Sequence, residues 1–249
     1  MNNEMKHLKT DENLNLVYSK SRDVLKAYII HLPNNPISQK YTKQCVESCE
    51  KVGQPYELFE AFDGTSGKDI KTPEQMKGES WLKALKVSDH HLSTGEVACF
   101  LSHVSLWMKC IQEDRPIVIL EHDSIMVEPF LEFMAYNNIV YLGSKEQYMD
   151  GWPVLPIPMQ ASLNINYLFI GRAHAYAIDP QIAKNMISRV FAEGISNSLD
   201  IWLRADTFGM VQLGFYAYDQ VNEFGDKDTT ILERKGDIPI NNETEIKYS

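Results

Sequence analysis

Short apolar runs and helical stripes follow one another along this chain, separated by compact turn signals. The first run, Ala27-Tyr28-Ile29-Ile30-His31-Leu32, is continuous and partly branched, the pattern of a strand buried on both faces. Pro33-Asn34-Asn35-Pro36 stops it with a dense turn signal. From Gln39 to Val52 the residues Tyr41, Cys45 and Cys49 fall on one stripe and Gly53 follows as a stop, which predicts a helix. Pro55 to Phe62 predicts a second strand, ended by Asp63-Gly64. Strand, helix and strand at this spacing make a right-handed crossover, so a parallel sheet is expected. Residues 1–22 show little periodicity and are expected as a peripheral arm, loose or with a short helix. Residues 65–92 are polar, with a helix expected around Pro73 to Leu85.

Regular structure reopens at Ser93-Thr94-Gly95-Glu96, a capping box in which Ser93 accepts from the Glu96 amide and the Glu96 carboxylate reaches back. The helix behind it places Val97, Phe100, Leu101, Val104, Trp107 and Ile111 on one stripe, interrupted by Ser102 and His103. After Pro116 comes Ile117-Val118-Ile119-Leu120, again a buried-strand pattern, and it runs directly into Glu121-His122-Asp123. Pro129 starts a short helix through Met134, and Ile139 to Leu142 forms a short strand. Residues 144–168, with four prolines or glycines among them, form a long loop of the kind that carries function. Ala173 to Ile178 is a small-residue strand, Pro180 begins a helix, Asp200 to Leu203 begins another, and Met210 to Tyr218 is the last strand. From Asn222 the chain is polar. The pattern as a whole is α/β, with a mostly parallel central sheet and helices on both faces.

Composition narrows the function. Hydrophobic content of 44% and charged content of 23% are those of an ordinary globular chain of 249 residues. A net charge of -10 argues against extended nucleic-acid binding, which needs a basic footprint. No apolar run approaches the ~20 residues that span a bilayer, although contact with a membrane surface stays open. The start is polar rather than signal-like, and Cys45, Cys49, Cys99 and Cys110 lack zinc-ribbon or Cys-x-x-Cys spacing. Reduced thiols and a cytoplasmic location are therefore expected, with Cys99 and Cys110 buried.

Charged groups cannot stay unpaired in a sheet core, so the chain must surface at Glu121. In open α/β sheets, ligands bind beyond the carboxyl ends of the strands. Glu121-His122-Asp123 is then either a solvated turn or a metal- or phosphate-handling site. Other residues also carry two readings. A cap explains Glu96 as well as a site role does, and His103 is a core histidine bonded to a backbone carbonyl or a site residue. Asp200 precedes an amphipathic turn, where a helix cap accounts for it. His174 reads as core and His90-His91 as a solvated pair, while Tyr148 and Trp152 are aromatics that pin the long loop or stack on a ligand.

The block Gly95-Glu96-Val97-Ala98-Cys99-Phe100-Leu101-Ser102-His103, then Trp107, then Ile119-Leu120-Glu121-His122-Asp123, resembles glycosyltransferase family 25, which includes lipopolysaccharide-type and collagen galactosyltransferases. Ala27 to Leu32, Glu60 to Gly64, Ala173 to Ile178 and Asp200 resemble its other blocks, so the likeness runs from about residue 25 to 231. The resemblance implies a GT-A-like domain over 23–232, between the arm at 1–22 and a polar tail at 233–249. It implies inverting transfer of a hexose from a nucleotide-sugar, UDP-hexose first, to a hydroxyl acceptor on a glycan or other biomolecule. It also implies a divalent ion, manganese ahead of magnesium, at the acidic motif. On that basis His122 and Asp123 are expected as metal ligands, and Glu96, Ser102, His103, Glu121 and His122 as donor-side residues. Asp200 and Glu121 are the candidates for the general base. The family typically has Glu-Asp-Asp where this chain has His122 in the middle, and it often has arginine after the first strand where this chain has Pro33-Asn34-Asn35. The alternative is a non-catalytic carbohydrate- or protein-binding relative that lost metal-dependent activity through His122.

Overall fold

Strand β3 (Ala27–His31) lies inside a six-stranded sheet, as its unbroken apolar run requires. The computed structural model describes residues 7–10, 16–19, 23–88, 91–131, 139–142, 173–204, 207–212 and 216–219. The expected loop at 144–168, with Tyr148 and Trp152, lies outside these residues, as do His90, most of the helix expected from Pro129 and the chain beyond Asp219.

The sheet runs β4 (Tyr56–Glu60), β3, β5 (Ile117–Glu121), β8 (Ala175–Ile178), β7 (Ile139–Tyr141), β9 (Met210–Gln212). β3 pairs in parallel with β4 and β5, and β7 with β9, while β8 runs antiparallel between β5 and β7. All strands but β8 therefore point one way, which is the mostly parallel α/β sheet expected and agrees with a GT-A-like fold.

Alternation along the strands divides the interior in two. Tyr28, Ile30, Ile117, Ile119, Tyr176 and Ile178 face α3 (Thr94–Glu113) and α4 (Pro180–Glu193), against Val97, Leu101, Val104, Ile182 and Met186. Ala27, Ile29, Val118, Leu120, Ala175 and Ala177 face the other way, onto Cys45 and Cys49 of α1 (Pro36–Val52). The two cores explain why the central strands read as continuous apolar runs.

The structure corrects several expected boundaries. α1 starts at Pro36 rather than Gln39, because the Asn35 side chain accepts from the Ile37 and Ser38 amides and Pro36 sits where no amide is needed. The turn signal before it is thus also a helix start. The helix expected around Pro73 to Leu85 is a 3₁₀ turn at Glu74–Met76 followed by one turn, α2 (Trp81–Ala84). Met210 to Tyr218 is two strands in two sheets. β9 closes the main sheet, and β10 (Ala217–Asp219) pairs antiparallel with β6 (Ser124–Met126), just past the acidic motif. Part of the expected N-terminal arm is two short strands, β1 (His7–Thr10) and β2 (Leu16–Ser19), paired antiparallel.

Candidate active site

Burial of β5 delivers Glu121 to the carboxyl end of the sheet, where the Glu121 amide donates to the His174 carbonyl at 2.7 Å. The Ser124 hydroxyl donates to the same carbonyl at 2.5 Å, so the turn carrying His122 and Asp123 is fastened at both ends. Opposite it stands the first half of α3, whose capping box forms as its sequence predicts: Ser93 Oγ accepts from the Glu96 amide at 3.2 Å and Glu96 Oε2 accepts from the Ser93 amide at 2.9 Å.

Between these elements lies a pocket of about 530 Å³ out to its open mouth, lined by His31, Phe62, Gly64, Cys99, His103, Glu121 and His122 among others. Its floor comes from β3 and β5 and its wall from α3. The loop after β4 is pinned to that wall by the Phe62 amide on Ser102 Oγ at 3.0 Å and by Thr94 Oγ1 on the Gly64 carbonyl at 2.9 Å. A Cβ at Gly64 would lie 2.2 Å from the Thr94 carbonyl oxygen, so only glycine permits this approach.

One hydrogen-bonded chain crosses the wall. Trp107 Nε1 donates to the Tyr176 hydroxyl at 2.9 Å, that hydroxyl meets His103 Nδ1 at 2.7 Å, and His103 Nε2 meets Glu121 Oε1 at 3.2 Å. The chemistry of the partners assigns the protons. An indole nitrogen only donates, and an ionised carboxylate only accepts. His103 therefore carries its proton on Nε2 toward Glu121, and Nδ1 accepts from Tyr176. Burial pushes the Tyr176 phenol well up, which keeps it a neutral donor. Burial also lowers the His103 imidazole to about 3, against an opposing pull from Asp200, which keeps the ring neutral. Tyr176 and His103 stack with ring centroids 5.6 Å apart, which holds the imidazole plane.

Cys99 joins from the turn below, its thiol donating to Glu121 Oε1 at 3.8 Å. Burial pushes that thiol well up, and the charges of Glu121, Asp200 and Asp123 add to the effect. Three acids from two segments of the chain thus bear on one sulfur. Asp200 stands in the first turn of α5 (Leu199–Trp202), its Oδ1 accepting from the Ala173 amide at 3.0 Å. Asp123 also acts on Cys45 of α1, and the His122 ring lies 6.1 Å from that of Tyr41 on the same helix. Among the described residues, Cys99, His103 and Glu121 have donor atoms within 4.8 Å of one another, an arrangement that can hold a metal ion.

The expected site residues are thus distributed as follows. Ser102, His103, Glu121 and His122 line one pocket. Asp123 and Asp200 act on its sulfur, and Glu96 sits in the cap of α3. His174 is buried, its Nδ1 3.3 Å from the Tyr141 hydroxyl, and His91 is exposed. Sequence reading took Cys99 for a buried thiol and missed Tyr176 and His31 altogether. Cys99 is only half-buried and lines the pocket, and its spacing of four from His103 was the available signal. For Tyr176 no local signal existed, because its place follows from cross-strand pairing with Ile119.

Residues 24–152, just over half of the chain, match a family model described as glycosyltransferase family 25 (LPS biosynthesis protein). A "Glycosyltransferase 25 family member" of Anopheles gambiae is 27% identical over 143 residues, which is 50% of this chain and 23% of the relative. A "Lipooligosaccharide biosynthesis protein" of Haemophilus influenzae is 49% identical over 48 residues, 19% of this chain and 18% of the relative. A "Procollagen lysyl hydroxylase and glycosyltransferase" of Acanthamoeba polyphaga mimivirus is 23% identical over 188 residues, 69% of this chain and 20% of the relative. The matched region spans about a fifth of these curated relatives' length. Among the described residues no helix is long and apolar enough to cross a membrane.

Proposed function

The chain belongs to glycosyltransferase family 25, and from that premise we propose that it moves a hexose from a nucleotide-diphospho-sugar, UDP-hexose first, to a hydroxyl of a glycan or other acceptor. The similarity to a lipooligosaccharide biosynthesis protein favours a surface-glycan acceptor, and four free thiols suit a reducing cytoplasm. The observation that carries the reading is the pocket at the carboxyl ends of β3 and β5. There Glu121, held by His103, faces a cavity shared with His31 and His122.

In this reading Glu121 and His122 approach the donor, and His103 fixes the Glu121 carboxylate by giving it the Nε2 proton as a hydrogen bond. Glu96 and Ser102 act one step back, by fixing the start of α3 and tying it to Phe62. Transfer with inversion needs a base at the acceptor hydroxyl. We assign it to Asp200, whose Oδ1 is oriented by the Ala173 amide and whose Oδ2 takes the acceptor proton. His122 and Asp123 fit a divalent ion, because one imidazole and one carboxylate are a donor set that manganese accepts and magnesium accepts less readily. A site completed by the donor's phosphates needs only one or two protein ligands, so it does not require three pre-assembled donor atoms. When bound, such an ion neutralises charge on the departing diphosphate.

The test is turnover of UDP-, GDP- and CMP-hexoses, with calorimetry of UDP binding, each with and without manganese. UDP-hexose cleavage that needs the ion is expected. No nucleotide binding under any condition would overturn the proposal in favour of a non-catalytic relative.

A further inference from the structure

We propose that Cys99, His103 and Glu121 form a soft-metal site, suited to Zn²⁺ and separate from the ion assigned to His122 and Asp123. The inference stands on geometry alone and does not need sugar transfer to be correct. Cys99 and His103 lie four apart on α3, so both side chains project from one face, the spacing by which a helix offers two ligands to one ion. The third ligand, Glu121, comes from the end of β5, so the set is held by two regular elements rather than by a loop.

The distances fit. His103 Nε2 is 3.2 Å and Cys99 Sγ 3.8 Å from the same Glu121 oxygen, and all three donor atoms fall within 4.8 Å. A tetrahedral zinc ion with bonds of about 2.0–2.3 Å separates its ligand atoms by about 3.3–3.6 Å, so small side-chain adjustments suffice. The ring plane is already held, with its other nitrogen 2.7 Å from the Tyr176 hydroxyl and that hydroxyl anchored by Trp107, so Nδ1 has a partner to donate to once Nε2 gives up its proton. Cys99, His103 and Glu121 all line the open pocket, which gives an ion its entry path and leaves the fourth position to water or ligand. The thiolate is what selects a soft ion over magnesium or manganese.

Binding has a defined proton balance. Cys99 releases its S–H proton to solvent. The imidazole stays neutral but moves its proton from Nε2 to Nδ1, where it donates to the Tyr176 oxygen, and the phenolic O–H, which stays on Tyr176, rotates away from the ring. One proton leaves per ion bound, so affinity rises with pH. The hydrogen bond from His103 to Glu121 is lost in the same event, and the hydrogen-bonded and metal-bound states exclude each other.

The experiment titrates the chelator-treated full chain with Co²⁺, which reports a thiolate ligand by charge-transfer absorption in the near ultraviolet. One equivalent should bind with that band, and Zn²⁺ should displace it. Cys99→Ser should abolish the band with the far-ultraviolet circular dichroism unchanged, while Cys45→Ser and Cys110→Ser should keep it. Tyr176→Phe should weaken binding about tenfold or more. The double variant His122→Ala, Asp123→Ala should leave the band intact, which separates this site from the donor-linked ion. No thiolate band at stoichiometric Co²⁺, or a band that survives Cys99→Ser, would overturn the proposal.

Discussion

Tyr176 serves two buried partners through one oxygen, accepting from Trp107 and donating to His103. Replacing it with Phe keeps the ring and its stacking but leaves an indole N–H and an imidazole nitrogen without the hydroxyl. The expected cost is roughly 1–3 kcal/mol, read as a lower urea midpoint at unchanged m-value. His103 itself makes stability depend on pH. Its pKa is about 3 in the fold and 6.5 when unfolded, so the unfolded chain binds more protons between those values. Stability from this group is therefore complete above pH 6.5 and falls as the pH drops toward 3, by about 1.4 kcal/mol per unit at most. Urea midpoints between these limits should fall less steeply in His103→Gln than in the parent; an identical slope would mean that another group carries the dependence. At this scale the sequence was half legible. His103 and Glu121 stood out because polar groups interrupt apolar patterns. Tyr176 did not, since an aromatic residue in a strand looks the same whether its hydroxyl is solvated or bridges two side chains.

Elements were more legible than their ends. The 3.6-residue stripe and capping box of α3 read directly, because local hydrogen bonding and burial agree there. α1 was displaced by one turn in the reading because Pro36 is both a turn residue and a first-turn helix residue, and only the Asn35 cap decides between them. Asn35→Ala should therefore cost about 1 kcal/mol in denaturant melts, against a few tenths for Asn35→Gly. The docking of the β4 exit loop on α3 was not legible beyond the Asp63-Gly64 stop, since it is a backbone approach between distant segments. Gly64→Ala is the probe for it. Its Cβ meets the Thr94 carbonyl rather than a flexible side chain, so the loop must move away from the wall of the pocket. A loss of about 1–3 kcal/mol is expected, together with weaker nucleotide binding. Unchanged affinity with lowered stability would detach the loop from the site. The split of Met210 to Tyr218 into β9 and β10 was hidden for a related reason: both halves satisfy a strand pattern, and which sheet each joins is a property of the whole topology.

At the scale of the whole molecule, charge and site bear on each other. The chain carries a net charge of -10, and the described residues lining the pocket include no lysine or arginine. A nucleotide diphosphate approaching such a site meets Glu121 in the pocket itself, with the Asp123 and Asp200 charges nearby, and no fixed cation among that lining. Repulsion of this kind acts over the Debye length, about 10 Å at 0.1 M salt and about 30 Å at 0.01 M. If the pocket takes the donor, positive charge has to come from solution, and that is the role proposed for the ion at His122 and Asp123. The expectation has a sign that an ordinary basic phosphate site would reverse. UDP binding to chelator-treated protein should be weak and should strengthen as sodium chloride is raised from about 0.01 to 0.1 M. Manganese should tighten binding by tenfold or more at low salt, and that gain should shrink as salt is raised. Calorimetry across a salt series with and without manganese measures both trends. Binding that weakens with salt in the absence of any divalent ion would mean that fixed positive charge reaches the donor, and the proposed division of labour between chain and ion would be wrong.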